Sequence, residues 1–149
     1  MKQIAKQLEE LIDEYAPLMK NISPDKMSYK PAPKKWSKKE IIGHLIDSAL
    51  NNARRLVVAQ YEENPKIVYA QDTWVIASAY QEYNTDELIQ LWALINKHIC
   101  HILKNTPEHL WSRTCMTEEL HTLEWLAEDY IRHLKHHMHV VLEREPYTY

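Results

Sequence analysis

The sequence contains one glycine, Gly43, and no phenylalanine among its 149 residues. Phosphate-cradling loops need several glycines, because their backbone adopts positive φ angles or approaches the ligand closely. The sequence accordingly has neither a Walker-type loop nor a G-x-G-x-x-G motif. The scarcity of glycine also argues against sheets whose strands are joined by tight hairpins.

The chain also lacks an excess of one charge and a long apolar run. It carries 18 Lys and Arg against 21 Asp and Glu, mixed along the sequence, for a formal net charge of −3. Nucleic-acid binders usually present a basic stripe to the phosphate backbone, so we expect no nucleic-acid partner. No apolar run approaches the roughly 20 residues that span a bilayer, and no signal-peptide pattern opens the chain. We therefore expect a cytoplasmic protein without a membrane segment.

The two cysteines, Cys100 and Cys115, do not form a C-x-x-C pair. Without a secretory context we expect both thiols to be reduced. Cys100 precedes His101 directly, but adjacent positions on a helix do not face each other, so a Cys–His nucleophile is not supported. Nothing in the sequence around Cys115 would lower the pKa of its thiol.

Four segments have the three-and-four spacing of apolar residues that is typical of amphipathic helices. They cover roughly residues 2–20, 37–60, 84–104 and 122–144. Ser37 and Glu40 form a capping box at the start of the second helix, and Asn84 gives the N-cap signal of the third. The prolines between the first two helices exclude a regular helix there.

The segments 61–83 and 107–121 are less regular than the four helices. The first is interrupted by Pro65 but is too apolar for a solvent loop, so we expect a structured crossover that packs over one end of a bundle. Four helices with one long crossover between helices 2 and 3 predict an all-α four-helix bundle. We expect residues 1–149 to form a single domain. Metal sites commonly form between the facing helices of such bundles.

The last predicted helix contains four histidines that divide between two faces. At about 100° per residue, His133 and His137 lie about 40° apart, on the face that carries Leu126. His136 and His139 fall among charged residues, and we expect them to be solvated. The inward pair, one helical turn apart, is suited to binding a common ligand.

The second predicted helix is apolar on most sides but carries one polar face. His44, Ser48, Arg55 and either Asn51 or Asn52 lie along it. Burying a polar group without a hydrogen-bond partner costs on the order of 1–3 kcal/mol of folding free energy. Four polar side chains on one helix face are therefore better explained as the wall of a cavity than as part of the core.

Three neutral imidazoles, from His44, His133 and His137, are enough protein ligands for a catalytic divalent metal with an open position. The alternatives are a hydrogen-bonded core histidine at His44 and a chance pair on the last helix. The remaining histidines, His98, His101, His109 and His121, lack such context and are interpreted as structural or surface residues. Glu118 and His121 form a single Glu-x-x-His, whereas a di-iron carboxylate bundle needs two such motifs.

The sequence resembles the DinB/YfiT-like superfamily of small metalloenzymes in four segments, which occur in family order over most of the chain. These are residues 36–48 (WSKKEIIGHLIDS), 71–75 (QDTWV), 87–92 (ELIQLW) and 129–137 (DYIRHLKHH). The resemblance implies a four-helix bundle of up-down-down-up topology. It also implies a divalent metal, usually Zn or Ni, held by His44, His133 and His137. Members often form homodimers through helix faces, which the second helix could supply.

Characterised members of this superfamily transfer low-molecular-weight thiols such as bacillithiol, or use a thiol cofactor for isomerisation. The resemblance therefore implies a metal-dependent thiol S-transferase or a related hydrolase acting on a small molecule. In that hypothesis Arg55 and Asn52 orient an anionic thiol or substrate, and Ser48 and Trp74 are further candidates on the substrate side. The other four tryptophans are expected in the core.

Two alternatives remain open at the level of sequence. The same bundle would serve as a non-catalytic module that binds a small ligand or metal, since histidine spacing does not separate the two functions. A purely structural bundle would satisfy its histidines by hydrogen bonds alone. An open coordination position favours the enzyme, and a fourth protein ligand favours a structural role.

Overall fold

The computed structural model describes residues 1–148 and is mainly helical. Its elements are α1 (Lys2–Lys20), α2 (Pro24–Ser28), α3 (Lys38–Val58), α4 (Gln71–Ala77), α5 (Thr85–Asn105), β1 (Thr114–Met116), β2 (Leu120–Thr122) and α6 (Leu123–Val141). Single 3-10 turns occur at Tyr80–Glu82 and Glu108–Leu110. Within the described residues, no helix is both long and apolar enough to cross a membrane.

The four long helices, α1, α3, α5 and α6, form the predicted bundle. Lys38, at the start of α3, donates to the carbonyl oxygen of the last residue of α6 at 2.5 Å, so these helices are antiparallel. Lys104, near the end of α5, pairs with Glu9 in the first half of α1. Arg144, just after α6, pairs with Glu14 in the second half of α1. The directions are therefore up, down, down and up, as the resemblance implied.

Helix α3 lies at the centre of the molecule. Its capping box is formed as predicted: Ser37 Oγ accepts from the backbone N–H of Glu40, and a Glu40 carboxylate oxygen accepts from the backbone N–H of Ser37 at 2.8 Å. Every residue from 39 to 49 is buried. A helix enclosed on all sides must satisfy its polar side chains internally or through a cavity.

The crossover between α3 and α5 is structured, because it contains α4 and the first 3-10 turn. It packs against α3 at Gly43, where an added Cβ would lie 2.1 Å from Cδ2 of the Tyr80 ring. The Tyr80 hydroxyl then donates to Asp47 Oδ1 at 2.5 Å. The only glycine of the chain is thus needed for close approach of an aromatic ring rather than for a turn.

Two sequence-based expectations about local structure were wrong. Strands β1 and β2 form an antiparallel hairpin despite the scarcity of glycine. Its three-residue loop needs none, because the described positive φ angles lie elsewhere, at Asn64, Ala79 and Glu143. The proline-bearing stretch after α1 contains the short helix α2, in which Pro24 follows the N-cap Ser23 and so occupies a position that requires no N–H donor.

Candidate metal centre

Helices α3 and α6 bring three histidines together. Nitrogens of His44, His133 and His137 all lie within 4.8 Å of one another. The Nε2 atoms of His44 and His133 are 3.1 Å apart, and the rings of His133 and His137 are 4.6 Å apart between centroids. His44 is completely buried. The i, i+4 spacing on α6 provides two of the imidazoles, and the antiparallel packing of α3 provides the third.

One pair of nitrogens in this cluster has the separation expected of two ligands of one divalent ion. Two nitrogens that each lie about 2.0–2.1 Å from a tetrahedral zinc are separated by about 3.3 Å. The 3.1 Å separation of the His44 and His133 Nε2 atoms is close to that value. A set of three neutral imidazoles also suits Ni, Co, Cu and Fe.

The electrostatics of the cluster favour metal over protons. Burial and, to a smaller extent, the neighbouring His137 together lower the pKa of His44 to about 4. Burial, followed by the adjacent histidines, lowers the pKa values of His133 and His137 to about 3. The three rings are therefore neutral at physiological pH, which is the form that binds a metal ion.

A chain of hydrogen bonds leads away from His133 along α3. Its Nδ1 lies 3.4 Å from Ser48 Oγ, and Asn52 Nδ2 donates to the Ser48 carbonyl oxygen at 2.9 Å. Asn52 Oδ1 accepts from Arg55 at 3.4 Å, while Arg55 Nε and Nη2 both donate to the carbonyl oxygen of Ile67. The structure thus connects three of the predicted substrate-side residues to a candidate ligand.

The side chains of this chain of hydrogen bonds line a cavity of about 720 Å³, here called the arginine cavity; they are Ser48, Asn52, Arg55 and His133. Arg55 lies in its wall, and burial lowers the pKa of this guanidinium. The cavity is lined by both basic and acidic side chains. Its remaining walls come from the crossover, α6 and the tip of the hairpin, and include Tyr69, Gln71, Glu118, Glu119, His121, Trp125 and Asp129.

A second cavity, of about 890 Å³, reaches the same cluster through His137 and is here called the lysine cavity. Trp36 forms part of its wall, and the Trp36 ring also contacts the His44 ring at a centroid distance of 4.9 Å. The two cavities share no lining residue. The histidine cluster therefore meets one cavity at His133 and the other at His137.

Some predicted site residues lie elsewhere. Trp74 lines neither described cavity but packs against Tyr69 with its ring 5.5 Å away, on the exposed side of the crossover. Asn51, the alternative to Asn52, donates to the backbone carbonyl of Asp47 at 2.9 Å and does not join the chain of hydrogen bonds. His136, expected to be solvated, is half-buried and lines the lysine cavity.

Other functional candidates were not recognised from the sequence. His121, interpreted as structural or surface, stacks on Trp125 with 3.6 Å between ring centroids, and both line the arginine cavity. Arg132 lies over the same indole at 5.7 Å. Trp125 was expected in the core but is 38% exposed. The only sequence signal was the i, i+4 spacing of His121 and Trp125, which does not reveal a cavity.

The two cysteines do not have the exposure or the lowered pKa that is typical of a nucleophilic thiol. Both are buried and free. Burial raises the pKa of Cys100 to about 11 and raises the pKa of Cys115 as well. Neither thiol lines the arginine or the lysine cavity.

Comparisons with solved structures agree with this architecture. YfiT from Bacillus subtilis, described as a probable metal-dependent hydrolase with an unusual four-helix bundle topology, superposes with a TM-score of 0.86 at 19% identity, covering 95% of this chain and 83% of that one. A variant of the mycothiol-dependent maleylpyruvate isomerase superposes with a TM-score of 0.77 at 16% identity. This match covers 98% of this chain and 62% of that one. The TM-scores of both superpositions show a common fold.

A DinB-like protein of Bacillus subtilis is also similar, with a TM-score of 0.64 and 19% identity, covering 99% of this chain and 96% of that one. No curated protein matches the sequence. The sequence profile of the DinB superfamily matches residues 7–141, which include the four long helices, apart from the start of α1, and all three clustered histidines. The chain therefore belongs to the DinB superfamily.

Proposed function

We propose that this protein is a divalent-metal-dependent enzyme, either a thiol S-transferase of the bacillithiol-using kind or a related hydrolase, with His44, His133 and His137 as ligands. The observation that carries the proposal is the cluster itself: three neutral imidazoles with nitrogens within 4.8 Å, which meets two cavities. Among residues 1–148, no fourth His, Cys, Asp or Glu joins the cluster. A catalytic metal site has three protein ligands and leaves a further position for water or substrate. Zn and Ni are the preferred candidates.

A divalent ion held there would supply Lewis acidity, which would lower the pKa of a bound thiol or water and so provide a nucleophile at neutral pH. The protein contributes orientation. With a metal ion on Nε2, the Nδ1–H of His133 would donate to Ser48 Oγ, 3.4 Å away, and so fix the tautomer and the ring orientation. Asn52 in turn donates to Ser48 and holds it in place.

Arg55 is suited to anchor an anionic group of the thiol or substrate in the arginine cavity. Two of its five N–H groups donate to the Ile67 carbonyl oxygen and a third donates to Asn52 Oδ1. The remaining N–H groups can donate to a ligand. Arg55 is partly buried, and a partly buried guanidinium binds a carboxylate more strongly than an exposed one, because less water competes. The nearby acidic residues would complement the amine of a zwitterionic thiol.

The relatives support both chemical classes. YfiT is described as a probable metal-dependent hydrolase, and the isomerase is mycothiol-dependent. A bound thiol and a bound water are alternative nucleophiles at the same open position, so one scaffold accommodates both.

Metal-dependent turnover tests the proposal directly. Zn- and Ni-loaded protein is assayed for thiol conjugation with bacillithiol and for hydrolysis of ester and amide panels. We expect activity that chelator removes and that falls by about 10²-fold or more in His137→Ala, since loss of a ligand costs more than the 10–100-fold typical of its supporting residues. The matched control is His139→Ala, on the same helix but outside both cavities. Stoichiometric metal without turnover of any substrate would favour the non-catalytic binding module instead.

The lowered pKa values predict the pH range of metal retention. Above about pH 5 protons should not compete for the ligands, so the amount of bound metal should stay constant from about pH 8 to pH 5 and fall as the pH approaches 4.

The metal-free protein should lose stability as the pH falls from 6.5 to about 4, because the histidines of the unfolded chain take up protons in this range and those of the folded cluster do not. Dialysis at a series of pH values followed by elemental analysis and circular dichroism measures both effects. Half-loss of metal near pH 6.5 would contradict the prediction.

A further inference from the structure

We propose that the lysine cavity binds the second reactant, a small amphiphilic anion with a hydrocarbon body and a carboxylate or similar head group. Its anionic end lies at Lys34 and Lys35, and its body extends towards His137. The inference rests on the proposed function only in naming this molecule as a reactant. Binding of the anion follows from the cavity itself.

The apolar part of the cavity explains the hydrocarbon body. Trp36, Ile41, Ile76 and Val140 line it, and Ile76 and Val140 are 76% and 54% exposed. Large aliphatic side chains that lie together at solvent in a cavity of about 890 Å³ indicate a binding site, because such surface is costly to leave in water. The exposure of Ile76 is a consequence of the fold, because the preceding Val75 is the buried residue of α4.

The charged part of the cavity determines the sign of the head group. Lys30 is neutralised by Glu40 at 2.9 Å. Lys34 and Lys35 are exposed and have no ion-pair partner among residues 1–148. Asp72 of α4 is the remaining carboxylate, so the lining has a net positive charge. Adjacent lysines at one rim of an apolar cavity complement an anion on an apolar ligand.

The two cavities meet the histidine cluster at different histidines, which explains why a second reactant would bind in the lysine cavity. His133 lines the arginine cavity and His137 lines the lysine cavity, and their rings are 4.6 Å apart. A thiol anchored by Arg55 and an acceptor anchored by the lysines would therefore reach the same centre through separate openings. Neither reactant would have to leave before the other enters.

Calorimetric titration of the isolated protein with octanoate, and with octylamine as a probe of equal length and opposite charge, tests the inference. We expect octanoate to bind at one site at least tenfold more tightly than octylamine. The charge-reversed variant Lys34→Glu/Lys35→Glu should weaken octanoate binding at least tenfold. The control Lys6→Glu/Lys97→Glu makes the same change in net charge on exposed faces of α1 and α5 and should leave the affinity unchanged.

Absence of octanoate binding to wild-type protein, equal affinity for the two probes, or equal loss in the test and control variants would each overturn the inference. The wild-type comparison stands even if a variant fails to fold. The titrations need no turnover, so failure of the metal-dependent assay would count against the proposed function without altering their outcome. A third variant, Ile76→Ser, removes apolar wall without adding charge and should weaken octanoate binding.

Discussion

Replacing His44 by alanine is expected to abolish metal binding while leaving the bundle folded. Elemental analysis should find close to one divalent ion per chain in the wild type and less than about a tenth of that in His44→Ala and His133→Ala, because two imidazoles bind a divalent ion far more weakly than three. His44 Nδ1 is buried without a hydrogen-bond partner among the described residues. Removing this ring therefore relieves an unsatisfied polar atom, which partly offsets the cavity that it leaves.

The control for this experiment is His98→Ala, which removes an exposed imidazole from α5. It should retain the wild-type metal content, and circular dichroism should show the same helical content in all the variants. Full metal content in His44→Ala would place the ion elsewhere. A wild-type protein that neither contains metal nor takes up added Zn or Ni would favour the purely structural bundle.

Replacing Gly43 by alanine should cause the largest loss of stability from a single added methyl group in this chain. The new Cβ would lie 2.1–2.6 Å from three atoms of the Tyr80 ring, so the ring must move. Its movement breaks the hydrogen bond to Asp47, a buried carboxyl whose pKa is raised by burial and whose second oxygen has no partner among the described residues. Overpacking and an unsatisfied buried group each cost about 1–3 kcal/mol, and alanine returns up to about 1 kcal/mol of helix propensity.

The net expectation is a loss of about 2–4 kcal/mol, equivalent to a fall in Tm on the order of 5–15 °C. Thermal unfolding of Gly43→Ala measures it. Tyr80→Phe removes the hydrogen bond without the clash and should cost less. The double variant Gly43→Ala/Tyr80→Ala should show strong coupling, because the clash is absent once the ring is removed. Additive effects in this cycle would show that the ring and the glycine do not interact as described.

Much of the fold follows from local patterns in the sequence. The apolar spacing located the four long helices to within a few residues at their ends, and the side chains of Ser37, Glu40 and Asn84 cap the helices where the sequence placed them. These features involve neighbours three or four positions apart, so they need no tertiary information. The same holds for the pairing of His133 with His137 on one face of α6, and for the chain from Ser48 through Asn52 to Arg55 on α3.

Only the tertiary structure decided how those local features meet. It brought His44 to the pair on α6 through antiparallel packing of two helices distant in sequence, an arrangement that periodicity cannot encode and that only the family resemblance anticipated. It placed Trp74 outside both cavities and moved His121 and Trp125 into one, because a crossover and a hairpin without helical periodicity determine the cavity walls. The sequence by itself determined which side chains share a helix face. Packing of the irregular segments decided which of those faces are open to a ligand.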